Sequence, residues 1–155
     1  MASSKWQGSV ESNVMAPLEV VWKITRDFYG LHKWFPGMKS SERVEGAPEQ
    51  GVGSVRRCIR PLHDGTESCV LEELISQDDS NHSYTYRITE TNIPGFNGYQ
   101  ATIQVCEAKE QDNCLLKWSF EMDLTDGHSK EDTEALFSSI LTGIAKHLEQ
   151  LISSQ

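Results

Sequence analysis

The residue in this sequence with the clearest capacity for chemistry is a carboxylate among apolar neighbours, Glu72. It lies in the predicted strand Thr66–Ser76, where Val70, Glu72 and Leu74 share one parity and Glu73 has the other. One face of this strand must therefore hold a carboxylate beside apolar side chains. A solvent-facing glutamate would be inert. A partly buried one could carry protons and would need a cation or a hydrogen-bond donor nearby.

The candidate cations are two consecutive arginines, Arg56 and Arg57, on the preceding predicted strand Ser54–Ile59. They point to opposite faces because neighbouring residues alternate along a strand. The alternation does not decide which arginine shares a face with Glu72. Two arrangements stay open at this point: a proton carrier beside an arginine, or an Arg–Glu ion pair that only ties two strands together.

Other catalytic and metal-binding chemistries have no pattern to support them. Gly51-Val52-Gly53 is too short for a phosphate-binding loop and precedes no predicted helix, and no serine lies in a nucleophile-elbow context. The cysteines form no C-x-x-C pair and the histidines do not cluster, so we predict no metal, no cofactor and four free thiols. These residues are Cys58, Cys69, Cys106 and Cys114, and His32, His63, His82, His128 and His147.

Charge and composition restrict the class of protein. The 155 residues include 14 Lys and Arg against 23 Asp and Glu, a formal net charge of −9. This excess of acid argues against nucleic acid and against anionic membrane surfaces as partners. No apolar run approaches the roughly 18 residues of a membrane span, and Met1–Ser9 has no apolar signal region. Together with the free thiols, this predicts a cytoplasmic location.

The elements that must position Glu72 follow from hydrophobic periodicity. Two short helices, Leu18–Phe28 and Leu31–Phe35, follow the first strand, and Pro17 stands where a helix can start. Asp132–Ile152 carries one apolar stripe at three- and four-residue steps, which is typical of a long amphipathic helix. Seven segments are predicted strands. These are Lys5–Met15, Ser40–Glu45, Ser54–Ile59, Thr66–Ser76, Ser83–Glu90, Gly98–Glu107 and Cys114–Leu124.

Consecutive strands with short connections predict an antiparallel sheet, and only the long C-terminal helix is large enough to cover its apolar face. We expect Leu141, Ile144 and Leu148 to face the sheet. The predicted fold is α+β, a single domain over residues 1–155. It has a curved seven-stranded antiparallel sheet, two short helices between strands 1 and 2, and the long helix over an internal cavity.

Strand parity also predicts which side chains face that cavity. The inward positions are rich in Tyr and Trp, which need hydrogen-bond partners when buried. A packed aromatic core and a ligand pocket are equally compatible with this pattern. The predicted inward sets are Tyr84, Tyr86 and Ile88; Tyr99, Ala101, Ile103 and Val105; and Leu116, Trp118, Phe120, Met122 and Leu124.

Over about residues 5 to 152 the sequence resembles the plant START-like, polyketide-cyclase and pollen-allergen helix-grip superfamily. Within that superfamily it is most similar to the lachrymatory factor synthases and their plant relatives. The motifs that carry the resemblance are Lys5-Trp6-x-Gly8, Asp27-Phe28, Leu31-His32-Lys33, Val44-Glu45-Gly46, Gly53-Ser54-Val55-Arg56, Ser83-Tyr84-Thr85-Tyr86, Thr89-Glu90, Tyr99-Gln100-Ala101-Thr102 and Trp118-Ser119-Phe120.

The resemblance implies a central cavity and, for the synthases, a cofactor-free rearrangement of a small alkenyl sulfenic acid to a thial S-oxide. It matches the Arg, Glu and Tyr associated with that chemistry to Arg56, Glu72 and Tyr99, and so places Arg56 and Glu72 inward. Arg56 would hold an S–O oxygen, Glu72 would move a proton, and Tyr99 would place the substrate oxygen. The remaining predicted ligand contacts are Tyr84, Tyr86, Ile103, Trp118, Phe120 and Leu141.

Two functions stay open. The first is a cofactor-free isomerase or lyase acting on a small hydrophobic metabolite. The second is a non-catalytic carrier or sensor of a small hydrophobic plant metabolite or lipid. Abscisic acid receptors are a special case of the second, but their Ser-Gly-Leu-Pro-Ala gate and His-Arg-Leu latch are absent. The corresponding loops here are Arg60–Gly65 and Asn92–Gly98.

Overall fold

A computed structural model describes residues 5–94, 96, 98–110, 112–123 and 129–154 of the protein. The three α-helices of this part are α1 (Leu18–Thr25), α2 (Leu31–Trp34) and α3 (Lys130–Ser153). The seven strands are β1 (Lys5–Val14), β2 (Ser40–Arg43), β3 (Val55–Pro61), β4 (Glu67–Asp78), β5 (Ser83–Thr91), β6 (Gln100–Glu107) and β7 (Cys114–Asp123).

All seven strands form one antiparallel sheet in the order β1-β7-β6-β5-β4-β3-β2. Strands β2 to β7 each pair with the next along the chain, as their short connections require, and β1 pairs with β7. The predicted helix-grip architecture is therefore confirmed.

Several boundaries differ from the predicted ones. The first helix ends at Thr25 rather than Phe28, because Asp27 has an extended backbone (ψ 92°) and a 3₁₀ turn, Phe28–Gly30, follows. Strand β6 begins at Gln100 because Gly98 has a φ of +70°, so Tyr99 precedes the strand. Leu124 of the predicted last strand lies outside the described residues.

The long helix begins at Lys130 and is capped by Ser129, whose side chain accepts a hydrogen bond from the Asp132 backbone N–H at 3.0 Å. Its 24 residues extend over roughly 36 Å and pack chiefly against β1. Leu141, Ile144 and Leu148 are buried, as the apolar stripe predicted. No helix in the described ranges is both long and apolar enough to cross a membrane.

Strand β4 is irregular at Glu72. Its register with β5 shifts between Leu71 and Glu72, and again between Leu74 and Ser76. Such bulges re-aim side chains and are frequent beside active sites. Glu72 points to the inner face with Leu74, whereas Glu73 lies on the outer face, where Arg87 donates to its Oε1 at 2.8 Å.

All four cysteines belong to the described part of the chain, and none of them forms a disulfide. Cys58 and Cys114 are buried, and Cys69 and Cys106 are half-buried. The prediction of free thiols agrees with this arrangement.

Replacing Leu141 by Ala should lower the free energy of unfolding by about 2–5 kcal/mol, because Leu141 is fully buried between α3 and the sheet. Leu136→Ala on the same helix is the matched control, since Leu136 is 53% exposed, and it should change stability by less than about 0.5 kcal/mol. Urea unfolding followed by circular dichroism measures both values. Equal effects of the two substitutions would contradict this packing of α3.

Candidate functional site

A cavity of about 710 Å³ lies between the inner face of the sheet and α3. The cavity is lined mainly by apolar and aromatic side chains, and its charged lining residues are few. Arg56, Glu72 and Tyr99, which the sequence singled out, all line it. Four of the predicted ligand contacts line it as well, namely Tyr84, Tyr86, Ile103 and Trp118.

Two predicted ligand contacts do not line this cavity. Leu141 is fully buried in the packing between helix and sheet, so a helical stripe located the core but not the cavity. The Phe120 ring packs edge-on against Phe137, with centroids 4.3 Å apart. Phe120 borders a different depression of about 580 Å³ near Gly8, whose other walls are mostly polar.

An ion pair between Arg56 and Glu72 occupies the inner face of β3 and β4. The two residues are directly opposite in the antiparallel register. Glu72 Oε1 accepts from Arg56 Nε at 2.8 Å and lies 2.7 Å from Arg56 Nη2. Arg56 is only 1% exposed and the Glu72 side chain 12%. Alternation along β3 left open which arginine shares a face with Glu72. In the structure it is Arg56, and both side chains face inward.

The Arg56 guanidinium is held on three sides. Its Nη1 donates to the Phe28 carbonyl oxygen at 2.9 Å, and its carbon lies 4.0 Å from the centre of the Phe28 ring and 5.1 Å from that of Tyr86. Burial, the largest single influence, lowers the pKa of Arg56, but the charge of Glu72 together with Tyr84, Cys58 and Tyr86 outweighs burial, and the pKa lies above its usual range. Arg56 is therefore a fixed positive charge.

The two oxygens of Glu72 differ in their surroundings. Oε1 receives the Arg56 donors and also faces the Cys58 sulfur at 3.8 Å. Burial, and then the charge of Glu72, raise the pKa of the Cys58 thiol to about 12, so the thiol keeps its proton and can donate. Oε2 has no hydrogen-bond partner among the described residues. One oxygen is thus saturated, and the other is available to a ligand.

A second polar group is the hydroxyl pair of Tyr86 and Tyr99, whose oxygens are 3.0 Å apart. Trp118 Nε1 donates to the Tyr99 oxygen at 3.1 Å. Only one tyrosine hydroxyl can donate to the other, so one O–H of the pair remains without an acceptor among the described residues. Burial raises the pKa of both tyrosines, so both stay protonated at neutral pH.

The family of the chain follows from residues 5–152, which match the family model described as polyketide cyclase / dehydrase and lipid transport. The chain belongs to this family. The family is START-like and binds hydrophobic ligands.

Proteins with similar sequences or structures include a plant receptor and two bacterial proteins. The abscisic acid receptor PYL10 of Arabidopsis thaliana is 28% identical, over 97% of this chain and 84% of its own. An uncharacterised protein of Bacillus thuringiensis has a TM-score of 0.74 and 28% identity, and covers 94% of this chain and 98% of its own. The protein XoxI of Bacillus cereus has a TM-score of 0.73 and 30% identity, with 96% and 94% covered.

The structure of Ara h 8.0201 shows the same helix-grip fold, with a TM-score of 0.73. It is 24% identical and covers 97% of this chain and 99% of its own. At this identity the likeness concerns the fold alone.

Several residues around the ion pair carry little signal of their role in the sequence patterns of this polyketide cyclase/dehydrase chain. The apolar spacing predicts Phe28 as a helix end, whereas the helix break at Asp27 brings its carbonyl and ring to Arg56. The cysteine spacing indicates only a free thiol at Cys58, yet Cys58 shares the inward parity of Arg56 on β3. Phe137, on α3, stacks on Trp118 with centroids 4.4 Å apart. Parity could have identified Cys58, but not the other two.

The cavity tyrosines should make the fold sensitive to alkali. Burial raises the pKa of Tyr84, Tyr86 and Tyr99 above 10.0, and that of Cys58 from 9.0 to about 12, so the folded protein retains protons that the unfolded chain loses. Their contribution to stability is complete below about pH 9 and is lost as the pH rises above it.

Urea unfolding at neutral pH and between about pH 9 and 11 should show a steadily falling free energy of unfolding. Phenolate absorbance of the native protein should lag behind that of the same protein in urea. If native and urea-unfolded protein gave the same absorbance titration for all four tyrosines, the three cavity tyrosines could not be buried as described.

Proposed function

We propose that this protein binds a small hydrophobic metabolite in the cavity and moves a proton on it without a cofactor. The chemistry is of the isomerase or lyase kind, similar to that of the lachrymatory factor synthases. The observation that carries the proposal is the asymmetry of Glu72: Oε1 is saturated by Arg56, while Oε2 has no partner among the described residues. A buried carboxylate with one free oxygen is suited to take up a proton and return it.

The proton balance of such a step is internal to the ligand. Glu72 Oε2 accepts a proton from an O–H or C–H group of the ligand and delivers it to another atom of the same molecule. The protein ends in its starting state, and no oxidant or reductant is needed. A positioned carboxylate of this kind contributes about 10²–10⁴-fold to a rate.

Arg56 and Tyr99 have supporting roles in this proposal. Arg56 keeps its charge while Glu72 changes protonation, so it stabilises negative charge that develops on a ligand oxygen. The spare O–H of the Tyr86–Tyr99 pair donates to the same or a second ligand oxygen. The apolar aromatic walls lower the local dielectric constant, which strengthens each of these interactions.

A non-catalytic carrier or sensor is the second candidate, and one observation favours it. Arg56 and Glu72 satisfy each other within the protein, so the pair can serve as a strand tie with no substrate. The similarity to an abscisic acid receptor points the same way. The gate and latch motifs expected of such a receptor are absent from the Arg60–Gly65 and Asn92–Gly98 loops, which argues against that particular ligand function.

Binding is tested first with a neutral reporter dye, N-phenyl-1-naphthylamine, whose fluorescence rises in apolar surroundings. We expect saturable binding at one site. Mass spectrometry of small molecules that co-purify from the native host then identifies candidate ligands. An absence of saturable dye binding would argue against ligand binding in the cavity, whether catalytic or not.

Catalysis is tested on a small alkenyl sulfenic acid released in situ from its cysteine sulfoxide, with the thial S-oxide measured by gas chromatography. Glu72→Gln keeps the size and the hydrogen bonding but removes the proton carrier, so it should lower turnover by about 10²–10⁴-fold while dye affinity stays within about threefold. Glu73→Gln, one residue away on the outer face, is the matched control and should leave turnover unchanged.

The two candidates give different results in this assay. Product formation by the wild-type protein no faster than in a protein-free reaction would reject the proposed sulfenic-acid chemistry and leave the carrier. Equal turnover of wild-type protein and Glu72→Gln would reject Glu72 as the proton carrier.

A further inference from the structure

The charges that line the cavity are balanced among the described residues. Arg56 and Glu72 are inside, and Arg60 and Glu67 are exposed at the mouth. Lys39 Nζ lies 2.7 Å from Glu67, and the Arg60 guanidinium lies over the Phe35 ring, 5.8 Å from its centre. The interior cation therefore already has an anionic partner, while Arg60 is solvated.

A ligand carboxylate in this interior would meet an unfavourable environment. Moving a carboxylate out of water is costly unless an unpaired cation receives it. While Glu72 is ionised, Arg56 offers little such compensation, because its charge is already paired with Glu72 Oε1 and its Nη1 donates to the Phe28 carbonyl oxygen. A carboxylate beside this pair would also be close to the negative charge of Glu72.

The unsatisfied hydrogen-bonding groups describe the ligand that fits. Tyr84 and Trp34 belong to the cavity wall, and the Tyr84 hydroxyl and the Trp34 Nε1–H are buried donors with no acceptor among the described residues. The Tyr86–Tyr99 pair adds one further O–H. The free hydrogen-bond acceptor beside these donors is Glu72 Oε2. Unmade hydrogen bonds of buried groups are costly, so the matching ligand supplies acceptors and one donor.

We propose that the cavity selects uncharged ligands that carry a hydrogen-bond donor beside an acceptor oxygen, and that the Arg56–Glu72 pair excludes carboxylates. The proposal rests on the proposed binding function and narrows its ligand class. Glu72 then has a second role as a specificity determinant: it supplies the acceptor for the donor group, and it neutralises the cation that would otherwise attract an acid.

The test uses three compounds of one chain length, each displacing N-phenyl-1-naphthylamine at neutral pH. Decanamide carries a donor and an acceptor, methyl decanoate an acceptor only, and decanoate a negative charge. Wild-type protein should bind decanamide more tightly than methyl decanoate, although the ester is the more hydrophobic compound. It should bind decanoate at least about tenfold more weakly than decanamide.

Glu72→Gln provides the second measurement, because it leaves the Arg56 charge unpaired. The ratio of decanoate to decanamide affinity should rise at least about tenfold in this variant and stay unchanged in Glu73→Gln. Because the same two compounds are measured on both proteins, their different hydration free energies cancel when the two affinity ratios are compared. The wild-type comparison needs no variant, so it stands even if Glu72→Gln does not fold.

Three outcomes would overturn the proposal. One is tight binding of methyl decanoate and decanamide alike. Another is a folded Glu72→Gln variant with the wild-type affinity ratio. The third is wild-type binding of decanoate that is lost in Arg60→Gln, which would place the acid head group at the mouth. Each of these leaves dye binding intact, whereas failure of the proposed binding function would abolish the dye signal itself.

Discussion

The ion pair between Arg56 and Glu72 is the interaction on which the rest of the site depends. It joins β3 to β4, draws in the Phe28 carbonyl from the 3₁₀ turn after α1, and lies against the Tyr86 ring. Sheet, turn and cavity wall therefore meet at one guanidinium. Removing either partner would leave a buried charge uncompensated, which typically costs 3–5 kcal/mol in ion pairs of this kind.

Stability alone does not explain such a pair. Desolvation of two charges offsets most of their attraction, and apolar residues of similar volume often stabilise a core as well or better. A charged pair in an otherwise apolar, aromatic cavity has a high desolvation cost, which a polar contact with a ligand would offset. The free Oε2 of Glu72, the unpartnered Tyr84 hydroxyl and the spare O–H of the tyrosine pair are consistent with use by a ligand.

Much of the fold could be predicted from periodicity, because most strands have one buried face. On β7 the inward positions Trp118, Phe120 and Met122 are buried as the alternation indicated. Alternation could not choose between Glu72 and Glu73, since apolar residues occupy both parities of β4 and its register with β5 shifts at Glu72. That choice came from a family resemblance.

Other features of the site could not be predicted because they depend on packing between distant segments. The contact of Phe28 with Arg56 requires a helix to end early and turn inward. On α3, the apolar stripe does not distinguish residues that face the cavity, such as Ile144, from those that pack on the sheet, such as Leu141. Helix periodicity indicates which residues are buried, but in this fold a buried residue of α3 can either line the cavity or pack directly on the sheet.

The pairing of β1 with β7 has a consequence for how the protein is made. Ser9 and Ser119 are neighbours in the sheet but 110 residues apart in the chain. Such long-range pairings are slow to form, because the entropy of closing the intervening loop is lost before the contact is gained. During synthesis β1 cannot pair until β7 has been made. The cavity stays open on one side until α3 has left the ribosome and packed on the sheet. The cavity is therefore complete only once α3 has packed on the sheet, and a nascent chain without α3 exposes its aromatic inner face.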